Sequence, residues 1–543
     1  MSGHGSKPLR GLENTAQSSI KTGKFGRLFR WLPPALAPTN SDEDKEVVTL
    51  LQSLAGLMVS TEFNDRVDKE GKPTPDVDLN TPEEEDENRR IPAGYTYLGQ
   101  FIDHDVTFDP ASSLQQQNDP DALEDFRTPR LDLDSLYGRG PDDQPYLYQG
   151  AERMKMRLGP DRGIGGMYRP DLLRSDDGTA LIGDKRNDEN KIVRQIHALF
   201  LSFHNRVFDD LGPRFPRSRD QSARFGEAQR IVRWCYQWIV LRDFLPRICR
   251  PDIVARILPA PGSRGPNLVF YQPHSGGAYI PVEFSVAAYR FGHSMVRPSY
   301  SLNDVTTTGR VPFASKGGKT VPFARIPIFV ANSDNARAAL NGSGQPLPDQ
   351  WGIDWSFFFG AIPPAEPNTK QVPQPSYRID TMLVDPLGAL PEFAAAVGAG
   401  SPFASLAFRN LVRAFRMGLP AGQSVARTMG CDPLSEEQLW QVRGKGDDVV
   451  EWPEGKALLA ANRRWLEGRA PLWFYILKEA EIREKGHRLG EVGSQIVAET
   501  LIGLTWSDHF SYLFLAPNWH PGMEGLGGLG RGLDMLELTK YVG

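Results

Sequence analysis

Apolar residues in the middle and last third of the chain recur at intervals of three and four, the spacing of one helix face. In Glu189–Leu211 they are Ile192, Val193, Ile196, Leu199, Phe200 and Phe203. In Ala223–Ile248 they are Ile231, Val232, Cys235, Trp238, Ile239 and Leu245, and Pro246 is expected to bend or end that element. The same reading predicts helices near Asp42–Val59, Phe284–Met295, Leu406–Met417, Ser435–Val442, Lys456–Leu466, Pro471–Gly486 and Val492–Leu504. Long polar or glycine-rich stretches separate them. Asn64–Arg90 ends in the acidic run Glu83–Glu87 and reads as a solvated loop; Gly138–Asp177 and Gly309–Thr369 read as loop regions. There is no internal repeat and no multi-strand alternation, so the predicted class is mainly α, one large domain with long ordered loops and little β.

Composition narrows the function classes. With 543 residues, about 40% of them hydrophobic, the chain is globular. A net charge of -5 with scattered basic residues argues against a nucleic-acid footprint. Cys235, Cys249 and Cys431 form neither a disulfide framework nor a zinc spacing. The opening MSGHGSKPLRGLENTAQSS has no apolar stretch of the signal-peptide kind, and no apolar run reaches the roughly 20 residues that span a bilayer. The expected location is therefore cytoplasmic, with non-classical secretion or peripheral membrane attachment as the alternatives. Residues 1–45 read as an extended arm. Its basic, aromatic stretch Lys24–Leu36 suits either packing onto the main body, the reading preferred, or contact with a membrane surface.

Five segments carry candidate chemistry. In Gln100-Phe-Ile-Asp103-His104-Asp105, Gln100 and His104 share one face of a helical turn, although a solvated turn or cap explains Asp-His-Asp equally well. Thr128-Pro-Arg130-Leu-Asp132-Leu-Asp134 alternates oxygen donors in a way that suits a hard cation such as calcium, and Asp-x-Asp is also common in plain loops. Gly183-Asp-Lys-Arg186-Asn-Asp-Glu189 precedes a long helix and reads by itself as helix-start acids and a surface ion pair. Tyr289-Arg290-Phe-Gly-His293 puts a histidine into an apolar helix, where a satisfied core residue is the commoner outcome. Phe408-Arg409-Asn410 puts an amide into an apolar stripe.

Taken in order, these segments resemble the peroxidase–cyclooxygenase superfamily, the animal-type haem peroxidases, over roughly Tyr97–Gly422. The chain reads as a bacterial member, with 46–543 as the haem peroxidase catalytic domain. The resemblance implies haem b, with His293 as the axial iron ligand, Asn410 accepting a hydrogen bond from its other ring nitrogen, and Arg290 pairing with a haem propionate. It implies that His104 is the general base toward hydrogen peroxide, that Arg186 stabilises the charge developing as the O–O bond breaks, and that Gln100 holds water or the entering peroxide. A ferryl intermediate would then oxidise a second substrate. Asp103 and Glu189 fall where the family forms ester links to haem. Asp105, the side chains of Thr128, Asp132 and Asp134, and the Arg130 carbonyl match its Ca2+ ligands. Asn190 stands where some members carry a methionine joined to the haem, which disfavours chloride and leaves other halides, phenols or another small organic molecule as reductant.

Two alternatives remain. One is a fatty-acid dioxygenase, in which a tyrosine three residues before the proximal histidine forms a radical and a lipid is the substrate. Here that position is Arg290, and Tyr289, one residue earlier, is turned by about 100° on an α-helix and should point elsewhere. The other is a non-enzymatic haem-binding or adhesion-type protein. Every matched catalytic position is filled, which argues against it, and a missing Soret band would favour it.

Overall fold

The computed structural model describes residues 23–60, 86–108, 124–125, 127–150, 154–217, 220–258, 265–273, 277–307, 312–316, 319–322, 325–329, 339–363, 372–398, 400–444 and 447–543. Residues 1–22 of the arm, 61–85 of the polar stretch (Glu83–Glu85 included) and parts of 309–369 lie outside that set. Helices dominate, and the strands are short and gathered in sheets of two or three. One apolar core runs from Phe25 to Tyr541.

Helix α1 is Ser41–Leu57, begun by Asn40, whose side chain accepts from the backbone N–H groups of Asp42 and Glu43. Ahead of it, strand β1 (Gly23–Gly26) pairs in parallel with Ile280–Pro281. Phe25, Leu28, Phe29, Ala35 and Leu36 are core residues. Strand β2 (Glu87–Pro92) pairs with Pro375–Tyr377. That corrects the solvated-loop reading at its carboxyl end: Glu87 is buried against Arg297 at 3.0 Å, and a buried acid matched by a buried arginine is what a hydropathy pattern misreads as surface.

β2 delivers the chain to helix α2 (Gly94–Val106). A side chain at Gly94 would put its Cβ 2.5 Å from the Phe358 carbonyl oxygen, so only glycine allows this close approach. The short helix α3 is Asp134–Tyr137, and α4 is Lys191–Asp210, capped by the Asn190 side chain on Ile192 N at 2.7 Å. Phe101 of α2 stacks on Phe200 of α4 with centroids 5.2 Å apart. Helix α5 is Gln221–Ile239. It widens into a π-turn at Val240–Phe244, takes Pro246 into one further helical turn, and ends at Ile248 just past the proline.

Two other elements differ from expectation. Phe284–Met295 is a π-turn over Glu283–Ala287 followed by a 3-10 helix over Ala288–His293. Ser435–Val442 divides into a one-turn helix, closed by a Ser435–Gln438 capping box, and a strand, Gln441–Arg443, because Val442 pairs with Val450. The helices Leu406–Arg416, Leu472–Arg483 and Glu491–Ser507 fall where the pattern placed them. Among the described residues no helix is long and apolar enough to cross a membrane.

Candidate active site

A cavity of about 810 Å³ lies between α2, the 3-10 turn at Ala288–His293 and the helix at Leu406–Arg416. Gln100, Asp103, His104, Arg186, Glu189, Arg290, His293 and Asn410 all line it. The volume is in the range of cofactor and small-molecule sites.

His104, buried on the last turn of α2, has its Nδ1 2.8 Å from Asn187 Oδ1. An amide oxygen only accepts, so the ring proton sits on Nδ1 and Nε2 is left bare for the cavity. Burial, seconded by the Arg186 charge, lowers its pKa to about 4, against the opposing pull of Asp184 and Asp103. The ring is therefore neutral at ordinary pH. Arg186 is fixed from three sides: Nη2 donates to the His104 carbonyl at 2.9 Å and to Asp184 Oδ2 at 2.7 Å, and its guanidinium lies 4.6 Å from the centre of the Phe108 ring. Asp184 itself caps the turn Lys185–Asp188 by accepting from Arg186 N.

Across the cavity, His293 Nδ1 lies 2.8 Å from the Asn410 amide. It is the amide nitrogen that faces the ring, so Asn410 donates to Nδ1 here, whereas it was expected to accept. An imidazole that bonds a metal through Nε2 carries its proton on Nδ1, and then the amide must turn over to present its oxygen. Burial, and next Arg290, holds the His293 pKa down at about 3, so this ring too is neutral. Arg290 donates from Nε to the Ser285 carbonyl at 2.8 Å, and its Nη1 stands 3.8 Å from Asp103. Asp103 Oδ1 accepts from Thr107 Oγ1 at 3.0 Å. Arg409 and Arg413, next to and one turn beyond Asn410, line the same cavity. Tyr289 lines it as well, contrary to the expectation from α-helical rotation; the π-turn before it resets the phase.

Below α2, carboxylate oxygens of Asp105, Asp132 and Asp134 lie within 4.8 Å of one another. At an effective dielectric of about 20, each pair of charges at that spacing repels by roughly 3.5 kcal/mol. Burial and this mutual repulsion raise the carboxyls of Asp105 and Asp134, and Arg127, 3.0 Å from Asp134, offsets part of it. Asp105 Oδ1 is buried without a hydrogen-bond partner among the described residues. Thr128 Oγ1 donates to Asp132 Oδ2 at 2.9 Å, which brings it to the same cluster. The Arg130 guanidinium reaches Asp508 at 3.6 Å. The donor set is all oxygen and fits a hard divalent cation.

Asn187 was missed by the sequence reading. It sits inside the Gly183–Glu189 segment and looked like one more polar turn residue. His204, farther along α4, is a packing residue, bonded to Tyr137 Oη at 3.1 Å and the Met154 carbonyl at 3.0 Å.

Fold and cavity define a mainly helical protein with two neutral imidazoles facing one buried space. Residues 115–324 match the animal haem peroxidase family, a span that holds the acidic loop, Arg186 and His293 and begins after His104. Over that span the chain is similar to the animal haem peroxidases. It is 32% identical to human (Homo sapiens) thyroid peroxidase over 204 residues, 37% of this chain and 19% of that protein. The chain spans about a fifth of the length of the curated relatives it matches. Among solved structures it resembles peroxidase A from Dictyostelium discoideum (TM-score 0.54, 16% identity, 96% of this chain and 94% of the other). It also resembles the fatty acid alpha-dioxygenase of Oryza sativa (TM-score 0.54, 14% identity, 84% and 74%). At these identities the two structures share a fold with it.

Proposed function

We propose that the chain, through a catalytic domain over 46–543, is a haem peroxidase that reduces hydrogen peroxide and oxidises a small second substrate, a halide, a phenol or another small organic molecule. The observation that carries this reading is the pair His104 and His293 on one cavity, each neutral, each with Nδ1 engaged by a buried amide. Haem b, when bound, supplies the iron redox chemistry. His293 would hold the iron through Nε2, and Arg290 would face a propionate. On the opposite wall, Nε2 of His104 takes a proton from the entering peroxide and returns it to the departing oxygen. Arg186 keeps a fixed positive charge toward that oxygen, and Gln100 orients peroxide or water. Asp103 and Glu189 stand at the cavity wall, where ester links to haem methyl groups would form with peroxide as oxidant: acid, methyl C–H and H2O2 give ester and two waters. Ca2+ at Asp105, Thr128, Asp132, Asp134 and the Arg130 carbonyl would brace the end of α2.

The test is the absorption spectrum of the haem-loaded chain before and after peroxide, followed by a screen of iodide, bromide, thiocyanate, phenols and unsaturated fatty acids. A Soret band that is lost in His293→Ala and changes with peroxide is the expected result. Absence of haem uptake by the folded wild-type chain overturns the reading. A second reading, lipid oxygenation, is favoured by the place of Tyr289 in the cavity wall and by the likeness to the rice enzyme. Oxygen uptake with a fatty acid that Tyr289→Phe abolishes would support it, and uptake unchanged by that variant would remove the tyrosine from it.

A further inference from the structure

We propose that Asn187 and His197 form a relay that sets the tautomer of His104, and so decides whether His104 can act as a base. This rests on the peroxidase reading for its consequence, though not for its geometry. Asn187 is wholly buried, and its amide has an imidazole at each end. Oδ1 lies 2.8 Å from His104 Nδ1, and Nδ2 lies 3.0 Å from His197 Nδ1. His197 belongs to α4, is 0% exposed, and stands with the Phe101 ring edge-on to it at 6.1 Å. Its Nε2 has no hydrogen-bond partner among the described residues, so nothing on its far side dictates where its proton goes.

The three groups can be protonated consistently in two ways. In the arrangement of the structure, the amide N–H donates to a bare His197 Nδ1, the amide oxygen accepts from His104 Nδ1–H, and His104 Nε2 is a free lone pair. In the other, the amide is turned over. His197 Nδ1–H then donates to its oxygen, its nitrogen donates to His104 Nδ1, and the His104 proton moves to Nε2. That second state has no lone pair for the cavity and cannot take a proton from peroxide. Because the amide is sealed from water, both its ends must be satisfied by the two rings, and the tautomers change together. A neutral amide does this without adding charge beside the base, unlike a carboxylate. His197 is thus a positioning residue acting through Asn187, and both lie outside the reacting space.

The experiment uses the full chain labelled with 15N-histidine, as wild type, Asn187→Leu, Asn187→Asp and His197→Phe. Long-range 1H–15N spectra without haem read the tautomers directly, and stopped-flow mixing of the haem-loaded chains with peroxide reads the consequence. The wild type should carry the His104 proton on Nδ1 and the His197 proton on Nε2. Asn187→Leu should leave His104 a tautomer mixture and slow the peroxide reaction roughly 10- to 100-fold with the haem spectrum unchanged. Asn187→Asp keeps an acceptor and should restore both the Nδ1 proton and most of the rate. His197→Phe frees the amide and should give a mixture at His104 even if Asn187→Leu does not fold. A wild-type His104 protonated on Nε2, or His197→Phe and Asn187→Leu spectra and rates equal to wild type, overturns the relay. A wild type with the expected tautomers and no peroxide reaction leaves the relay standing and overturns the peroxidase reading instead.

Discussion

Glu283 joins the amino-terminal segment to the turn that carries His293, and its removal makes a sharp test of how the cavity is closed. The side chain is 0% exposed and its two oxygens accept from Leu28 N at 3.0 Å and Phe29 N at 3.2 Å. Alanine at this position strands two buried N–H groups, each costing about 1–3 kcal/mol, so roughly 2–6 kcal/mol in all. The loss is local first, because the other contacts of residues 23–36 include the short β1 pairings, Arg27 on the Met417 and Gly418 carbonyls, Ala35 N on the Leu419 carbonyl, and the apolar packing of Phe25, Leu28 and Phe29, none of which replaces the two lost acceptors. Even about 2 kcal/mol raises the detached population about 30-fold, and proteolysis tracks that population when opening is fast. Limited trypsin digestion of Glu283→Ala should therefore cut first after Arg27 or Arg30, at a rate raised by at least that factor, and Phe25, which walls the cavity, should leave with the segment. Glu283→Gln keeps one acceptor and should fall between. Burial raises the Glu283 carboxyl above its ordinary 4.5, against the pull of the two N–H donors. The folded state thus holds a proton to higher pH than the unfolded state, and stability declines as pH rises from about 4.5 through the raised value, a slope the glutamine variant lacks. Equal digestion patterns, and a urea-unfolding free energy within about 0.5 kcal/mol of wild type for Glu283→Ala, would refute the clasp.

Three further predictions concern the site and its supports. Arg186→Met should leave haem uptake intact and slow the peroxide reaction about 10²- to 10³-fold in stopped-flow mixing; an unchanged rate would remove the guanidinium from charge stabilisation. Chelation of divalent cations should lower the melting temperature by a few degrees, in line with about 2.7 kcal/mol for a ligand at 100 Kd, with recovery on adding Ca2+. Asp132→Asn should abolish that response, and a wild-type melt indifferent to chelator and Ca2+ would empty the acidic cluster of its role. Lys191 is buried, its Nζ held by the Ala339 and Asn341 carbonyls at 2.7 Å. Burial and then Arg194 depress its pKa from 10.5 to about 7, against Asp188 and Asp171. The unfolded chain binds the extra proton between those values, so stability should rise with pH from about 7 toward 10.5 and Lys191→Met should lack that slope. Parallel pH curves for the two chains would show the group unperturbed.

Helix positions were legible because burial of one face writes its period into the sequence: α4, with Ile192, Val193, Ile196 and Phe200 inside, lies where the pattern placed it. The chemistry-bearing residues were legible as ordered motifs, and the cavity gathers Gln100, Asp103, His104, Arg186, Glu189, Arg290, His293 and Asn410 as the ordered set requires. What the pattern hides is polarity satisfied by remote partners. Glu87 reads as the end of an acidic run until Arg297 is brought to it from 210 residues away. His197 reads as a stray polar residue in an apolar face until Asn187 is folded against it. Neither pairing leaves a local signature.

Tyr289 shows why spacing alone could not separate a peroxidase from a lipid dioxygenase. The expectation that it turns away from the cavity assumed about 100° per residue, and a π-turn followed by a 3-10 helix does not keep that phase. The ring does line the cavity, yet its chemistry there is constrained. Phe284, Phe244 and Phe291 surround it at 4.6, 6.4 and 5.7 Å, and its hydroxyl abuts Gly99. Burial, and next Asp103, pushes the phenol well above its ordinary 10, and the hydroxyl has no hydrogen-bond partner among the described residues. Oxidising a phenol releases a proton, and among the described residues no group is hydrogen-bonded to the hydroxyl to take it. His104 has the opposite setting: a bare nitrogen toward the cavity, an amide fixing the other, and an arginine anchored beside it. The same wall therefore offers a poor radical site and a well-prepared base, and the proton inventory, more than the presence of a tyrosine, favours peroxide reduction.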